Sequence, residues 1–272
     1  MGAYGLRLDV PEAARRLLGP AREDWARLVL RSHVGDGRLD ADRVSDSRAE
    51  LRLHTGGFVV VDREAGTVDY TTPRVLGPEE LVHPFLAPAA AMMAHWAGRP
   101  AIHGGAFVLD GRAWGVLGGR EAGKSSLLAW LARGGHPIVS DDVLVLEGRR
   151  VFPGPRSVDL REDAAAELGA GRSIGAAGAR DRWRVGVDPL HGEVEMAGFV
   201  VLEWGDDLRI EDVGGRERLG LLQEQAAVRL PARDPDALLD LVALPARRFV
   251  RSRSWERMPD DAARLLDALA GG

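Results

Sequence analysis

The 272-residue chain contains no cysteine and no asparagine, and its only lysine is Lys124; every other basic side chain is arginine. The lack of cysteine excludes disulfides and thiolate metal centres and fits a reducing compartment. Aromatic residues make up only 6% of the chain. No apolar run approaches the roughly 18 residues that a membrane-spanning helix needs. Nor is there an excess of positive charge: the formal net charge is −5, so composition gives no reason to expect a nucleic-acid partner. The first residues, MGAYGLRLDVPEAARRLLG, carry early acidic groups and no apolar core of the kind a signal peptide has. The expectation is a cytoplasmic protein with neither a membrane nor a nucleic-acid partner. With 45% hydrophobic and 28% charged residues, the chain has an ordinary globular balance and can bury a large core.

What is present centres on Ala113 to Asp142, AWGVLGGREAGKSSLLAWLARGGHPIVSDD. Gly118, Gly119, Arg120, Glu121, Ala122, Gly123, Lys124 and Ser125 fit G-x-x-x-x-G-K-[ST], the phosphate-cradling P-loop, with Ser126 behind. The context fits the motif. The apolar residues Trp114, Val116 and Leu117 lead in, and Leu127, Leu128 and Leu131 follow at helical spacing. Glycines let the backbone turn its N–H groups toward one anion, and the following helix N-terminus favours phosphate oxygens. Lys124 is placed to reach the β- and γ-phosphates of a nucleotide, and the Ser125 hydroxyl to ligate Mg²⁺. In a chain that uses arginine wherever charge suffices, a lysine kept at this one place points to function rather than accident.

Taken in order, residues 1–98 read as a smaller α+β portion. Tyr4 to Val10 alternates as a strand, whereas Pro11–Leu18 and Trp25–Val34 carry helical patterning. Leu51–Leu53, Phe58–Val61 and Thr67–Thr71 read as short antiparallel strands, joined by turns at Thr55-Gly56-Gly57 and Glu64-Ala65-Gly66. A helical stretch from Gly77 to Ala97 is kinked or split by Pro84 and Pro88. His83 and His95 read as structural histidines, and Met92, Met93 and Trp96 as core.

Residues 99–272 read as the catalytic domain. Ala101–Leu117 forms a hairpin about Asp110-Gly111, which places His103 on a strand beside the phosphate site, either as a catalytic group or as a structural hydrogen-bond partner. Ile138–Ser140 is a short strand with Asp141 and Asp142 at its carboxyl end, where open α/β sheets bind ligands. Residues 164–181, rich in alanine and glycine, read as a mobile loop near the site. Arg180, Arg182 and Arg184 are either a phosphate clamp or a solvated edge-strand face. Helices follow at Leu219–Ala227 and Pro235–Leu244, the second with Asp234 as N-cap, and at Asp260–Ala270. Arg247–Arg253 is a basic strand whose Arg247, Arg251 and Arg253 offer a docking surface for an acidic group.

His103 to Arg161 resembles the HPr serine kinase family, whose P-loop domain is related to that of phosphoenolpyruvate carboxykinases. Four elements carry the resemblance in the same order. They are His103-Gly104, the loop from Gly118 to Ser125, Ser140-Asp141-Asp142, and Val158-Asp159-Leu160-Arg161-Glu162 in place of the family's Leu-Glu-Ile-Arg-Gly. Together they span about a quarter of the chain. The resemblance implies an α/β fold: a P-loop catalytic domain on a mixed sheet, with an N-terminal α+β portion packed against it. It also implies ATP and Mg²⁺ as cofactors. Lys124 would hold the β/γ-phosphates, Ser125 and Asp141 the metal, and Asp142 the proton of an acceptor serine. Asp159 stands where the family has a metal-supporting glutamate, one methylene longer.

Outside this segment the chain is more similar to the shorter HPr-kinase-like proteins that modify ribosomally made peptides, including kinases of a C-terminal serine in lasso-peptide precursors. The partner so implied is a peptide or small protein bearing a serine. A kinase of a small metabolite such as a nucleoside or sugar, and a non-catalytic nucleotide-binding switch, stay open as alternatives. So does the oligomeric state.

Overall fold

A computed structural model describes residues 1–54, 56–177 and 180–271. Thr55, in one of the expected turns, lies outside the described residues, as do Gly178 and Ala179. The fold is mixed α/β, built from a seven-stranded, a nine-stranded and a three-stranded sheet.

The N-terminal sheet comprises β1 (Gly2–Ala3), β2 (Leu6–Asp9), β3 (Ala26–Val34), β4 (Arg43–Val44), β5 (Arg48–Arg52), β6 (Phe58–Asp62) and β7 (Thr67–Thr72). Its order is β1-β2-β3-β7-β6-β5-β4. The first expected strand is broken at Tyr4 and Gly5, both at positive φ (59° and 72°), which fold β1 back on β2. Pro11–Leu18 becomes a 3₁₀ turn over Glu12–Leu17.

The expected helix at Trp25–Val34 is wrong: the segment is β3, parallel to both β2 and β7. Leu28 and Leu30 are the buried pair, a period of two rather than 3.6, and two valines favour the pleated backbone. The following helical stretch splits once, at Pro84, into α1 (Pro78–Val82) and α2 (Leu86–Trp96). Pro88 does not interrupt it. It lies in the first turn of α2, where a missing N–H removes no intrahelical bond. Met92, Met93 and Trp96 are buried, as expected of core residues. One hydrophobic cluster joins this sheet and α2 to Val143, Val145 and Phe152 of the second portion.

The central sheet runs through β8 (Ala101–His103), β9 (Gly105–Leu109), β10 (Arg112–Leu117), β11 (Ile138–Ser140), β12 (Val143–Glu147) and β13 (Arg150–Val151). Between β10 and β11 lies α3 (Lys124–Arg133). β9 and β10 form the expected hairpin, with Asp110 and Gly111 both at positive φ. β14 (Ser157–Leu160), β15 (Arg172–Ala177) and β16 (Arg180–Gly186) make the small sheet, with β16 in the middle.

The expected mobile loop at 164–181 is instead α4 (Glu162–Leu168) followed by β15. Ala164, Ala165 and Leu168 are buried, and Gly169 caps the helix in the left-handed conformation. Alanine is the strongest helix former, so the run builds structure rather than withholding it. β17 (Val194–Trp204), α5 (Gly215–Glu224), α6 (Pro235–Val242), β19 (Ala246–Arg251) and α7 (Met258–Ala270) complete the chain, with β18 (Arg209–Asp212) before α5. Asp234 caps α6 by accepting from the Asp236 and Ala237 amides.

Strand direction explains where the site forms. β9 is antiparallel to both β10 and β11, so those two point the same way. β17 is parallel to β10, and β19 to β17. The carboxyl ends of these four co-directed strands bring Gly118, Asp141, Trp204 and Arg251 to one side of the sheet, the side where open α/β sheets take ligands.

Candidate active site

The loop from Gly118 to Gly123 leaves the end of β10 and enters α3 at Lys124. Glu121 adopts φ 68° at its tip and Gly123 φ 83° at the helix N-cap. Gly123 has to be glycine for two reasons. Its backbone is left-handed, and a Cβ there would lie 2.7 Å from the Arg251 guanidinium and 3.1 Å from the Trp204 ring. The Lys124 ammonium folds back over the loop, donating to the carbonyls of Gly118 (2.7 Å) and Gly119 (3.1 Å). Burial lowers its pKa, and the charges of Asp141 and Asp142 partly offset that.

Asp141 and Asp142 take different roles because β11 ends at Ser140. The Ser140 hydroxyl donates to the Val143 carbonyl (2.7 Å) and closes the turn that holds both carboxylates. Asp141 turns inward and is 7% exposed. Its Oδ2 accepts the Asp159 amide at 3.0 Å, the Ser125 hydroxyl stands beside it, and its buried Oδ1 has no hydrogen-bond partner. Burial pushes its pKa up to about 6 against the opposing influence of His83 and these contacts. Asp142 stays partly exposed, with Oδ1 3.6 Å from His103 Nδ1. The two backbones are tied together as well: the Gly104 amide donates to the Asp142 carbonyl at 3.0 Å, and the His103 amide to the Gln225 carbonyl at 2.6 Å.

The expected P-loop residues, both aspartates and His103 therefore meet at one place. Asp159 departs from the expectation of a metal-supporting carboxylate. Its two oxygens accept from Arg184 Nε and Nη2, each at 2.7 Å, so its side chain is committed to a cation of the protein. It reaches the site through its backbone amide instead. Burial alone would raise its pKa, but the Arg184 hydrogen bonds and the neighbouring His83 and Arg184 charges hold it below the ordinary value.

Arg184 is therefore neither of the things expected of its cluster, since it is buried on a central strand. Arg251 is likewise no surface docking group. At 3% exposure it stacks 4.2 Å from the Trp204 ring and faces the Ala122 and Gly123 carbonyls at 3.5 Å, while burial pushes its pKa down to about 10. Trp204 in turn donates Nε1–H to the Glu121 carbonyl (3.0 Å), and Arg253 covers its ring at 5.0 Å. Arg251 and Trp204 support the loop from behind. The sequence signals neither role: Arg251 stands in a basic strand that reads as a docking surface, and nothing local marks Trp204.

A cavity of about 550 Å³ lies elsewhere, along β8 and the segment after α5, lined by residues such as His95, Ile102, Leu222 and Leu238. Neither the P-loop residues nor Asp141 and Asp142 line it. Among the described residues, no helix is long and apolar enough to cross a membrane.

No protein-family model and no curated protein sequence matches the chain. Among solved structures, the chain is similar to the HPr(Ser) kinase/phosphatase from Coxiella burnetii, at 15% identity and a TM-score of 0.31. The match covers 63% of this chain and 99% of that one. A likeness of this size bears on neither activity nor substrate. The chain itself is a mixed α/β protein with a P-loop at the carboxyl edge of its central sheet, facing one buried and one accessible aspartate.

Proposed function

We propose that this protein is a kinase that transfers the γ-phosphoryl group of ATP to a serine hydroxyl of a peptide or small protein. The observation that carries the reading is the pairing of Lys124 and Ser125 with two aspartates of opposite exposure. A switch that only binds nucleotide has no use for a second, accessible carboxylate. A phosphotransferase needs one to receive the acceptor proton.

Lys124, once it leaves the Gly118 and Gly119 carbonyls, neutralises charge on the transferred phosphoryl group, and the first amides of α3 hold the phosphate oxygens. The Ser125 hydroxyl and the unpartnered Asp141 Oδ1 are hard oxygen donors side by side, which suits Mg²⁺. Among the described residues no three acidic or histidine side chains form a metal cage. That fits an ion held by one or two protein oxygens together with substrate phosphates. When bound, the metal supplies charge neutralisation. Asp142 accepts the hydroxyl proton, with the His103 imidazole 3.6 Å from its carboxylate.

The acceptor is the finer part of the proposal: the C-terminal serine of a ribosomally made, lasso-type precursor. The test is transfer from γ-labelled ATP with Mg²⁺, read by mass on serine-terminated peptides, HPr and common nucleosides. Label on a peptide serine supports the reading. Label on nucleosides alone replaces the acceptor class, and nucleotide binding with no transfer to any of them favours the switch.

A further inference from the structure

We propose that Arg184 is a positioning residue. It sets the orientation of the Asp141 carboxylate by way of Asp159, and the N-terminal portion of the chain holds it in place. The inference rests on the kinase reading above.

Four side chains and one carbonyl form an unbroken path. At the outer end, Glu79 of α1 is shared by Arg16, Arg172 and Arg184, which come from the 3₁₀ turn, β15 and β16. Arg184 Nη1 donates to Glu79 Oε2 at 3.2 Å, and Nη2 donates to the His83 carbonyl at 2.8 Å. Nε and Nη2 then close the two-point pair with Asp159, which lies directly opposite on β14. The Asp159 amide completes the path at Asp141 Oδ2.

A guanidinium has five N–H donors, and four of these contacts already use Arg184, so it has little left for a phosphate. The pair is also fully enclosed, with side-chain exposures of 3% and 0%. A buried ion pair returns little net stability against apolar residues of similar size. What this one secures is position. With Arg184 gripping the Asp159 side chain, the β14 amide is fixed, Asp141 Oδ2 is fixed by that amide, and Oδ1 is left turned into the site. Glu79 and the His83 carbonyl belong to residues 1–98, so the N-terminal portion completes the active site without touching a reactant.

The test uses the full chain and compares ATP affinity with and without Mg²⁺. The variants are Arg184→Lys, which keeps the charge but not the fork, and the apolar double substitution Asp159→Leu with Arg184→Met, chosen to keep the fold. Matched unfolding temperatures identify which variants are intact. Outer contacts of this kind are worth about 10–100-fold in metal affinity or activity. The expected result is that the gain in affinity from Mg²⁺ falls by about 10-fold or more in both variants, with Mg²⁺-free affinity unchanged. In activity, kcat falls with little change in KM for ATP.

A Mg²⁺ gain equal to wild type in a folded variant overturns the inference. So does an equal loss of affinity with and without the metal, which marks a merely structural role. A wild-type protein that binds no nucleotide overturns the kinase reading first and this inference with it.

Discussion

The Nδ1 atom of His103 lies 3.6 Å from Oδ1 of Asp142, at the meeting point of β8 and the turn after β11. The distance is too long for a formed hydrogen bond and short enough for the imidazole to restrict the carboxylate. Asp142→Asn keeps the shape and removes the proposed base, so kcat is expected to fall by about 10²-fold or more. ATP affinity should hardly change. Transfer rates and nucleotide binding measured on the same sample check both halves. His103→Ala should cost less than Asp142→Asn, because it loosens the base without removing it.

Lys124→Ala should weaken ATP binding as well as transfer. Each hydrogen bond from a charged donor is worth about 1.5–3 kcal/mol, which is roughly 10–100-fold in affinity. The variant also loses the Lys124 bonds to the Gly118 and Gly119 carbonyls, so a modest fall in unfolding temperature should accompany the loss of binding. Titration with a fluorescent ATP analogue reads the loss.

Asp141 predicts a pH-dependent trade between stability and function. Its pKa is raised in the fold to about 6 from 3.8, chiefly by burial. The native state therefore binds more protons than the unfolded chain between those values, and stability from this group falls as pH rises through the window. At pH 7.5 the buried charge costs of order 1–3 kcal/mol without a cation present. Asp141→Asn should thus stabilise the metal-free protein at pH 7.5 and lose that advantage as pH drops below about 4. Transfer activity should be lost throughout. Urea unfolding across this range gives the sign directly.

Gly123→Ala should damage the loop and the fold together. The left-handed backbone and the approach of Arg251 and Trp204 leave no room for a methyl group. A loss of about 1–3 kcal/mol is expected, with weaker nucleotide binding. Thermal unfolding against a Gly111→Ala control separates the two causes, since Gly111 also has positive φ but nothing lies within 4 Å of its missing Cβ.

The site was legible in the sequence where its chemistry is local. The P-loop, the Asp110-Gly111 hairpin and the aspartates after Ser140 each depend on residues a few positions apart. The misread β3 shows how little separates two periods when only Leu28 and Leu30 are buried. Residues 164–181 differ from the expected loop because alanine builds helices where glycine ends them, and here Ala164 and Ala165 lie inside α4 with Gly169 as its cap. The pairing of Arg184 with Asp159 has no local signal, so neither reading of its cluster reaches it. Its partners are 25 and about 100 positions away, and only the β14–β16 register brings it opposite Asp159. The same holds for Arg251, buried by a loop 128 positions earlier.

The single lysine also turns the phosphate site into its own reporter. Apart from the α-amino group of Met1, Lys124 carries the only primary amine on the chain. Burial favours its neutral, nucleophilic form, and two carbonyls hold it at the mouth of the loop. An amine-selective reagent applied to the intact protein therefore has one internal target, and that target is the residue proposed to meet the nucleotide. Protection of a single peptide by ATP, read by mass, would map occupancy of the site without a labelled substrate, an acceptor or a substituted residue.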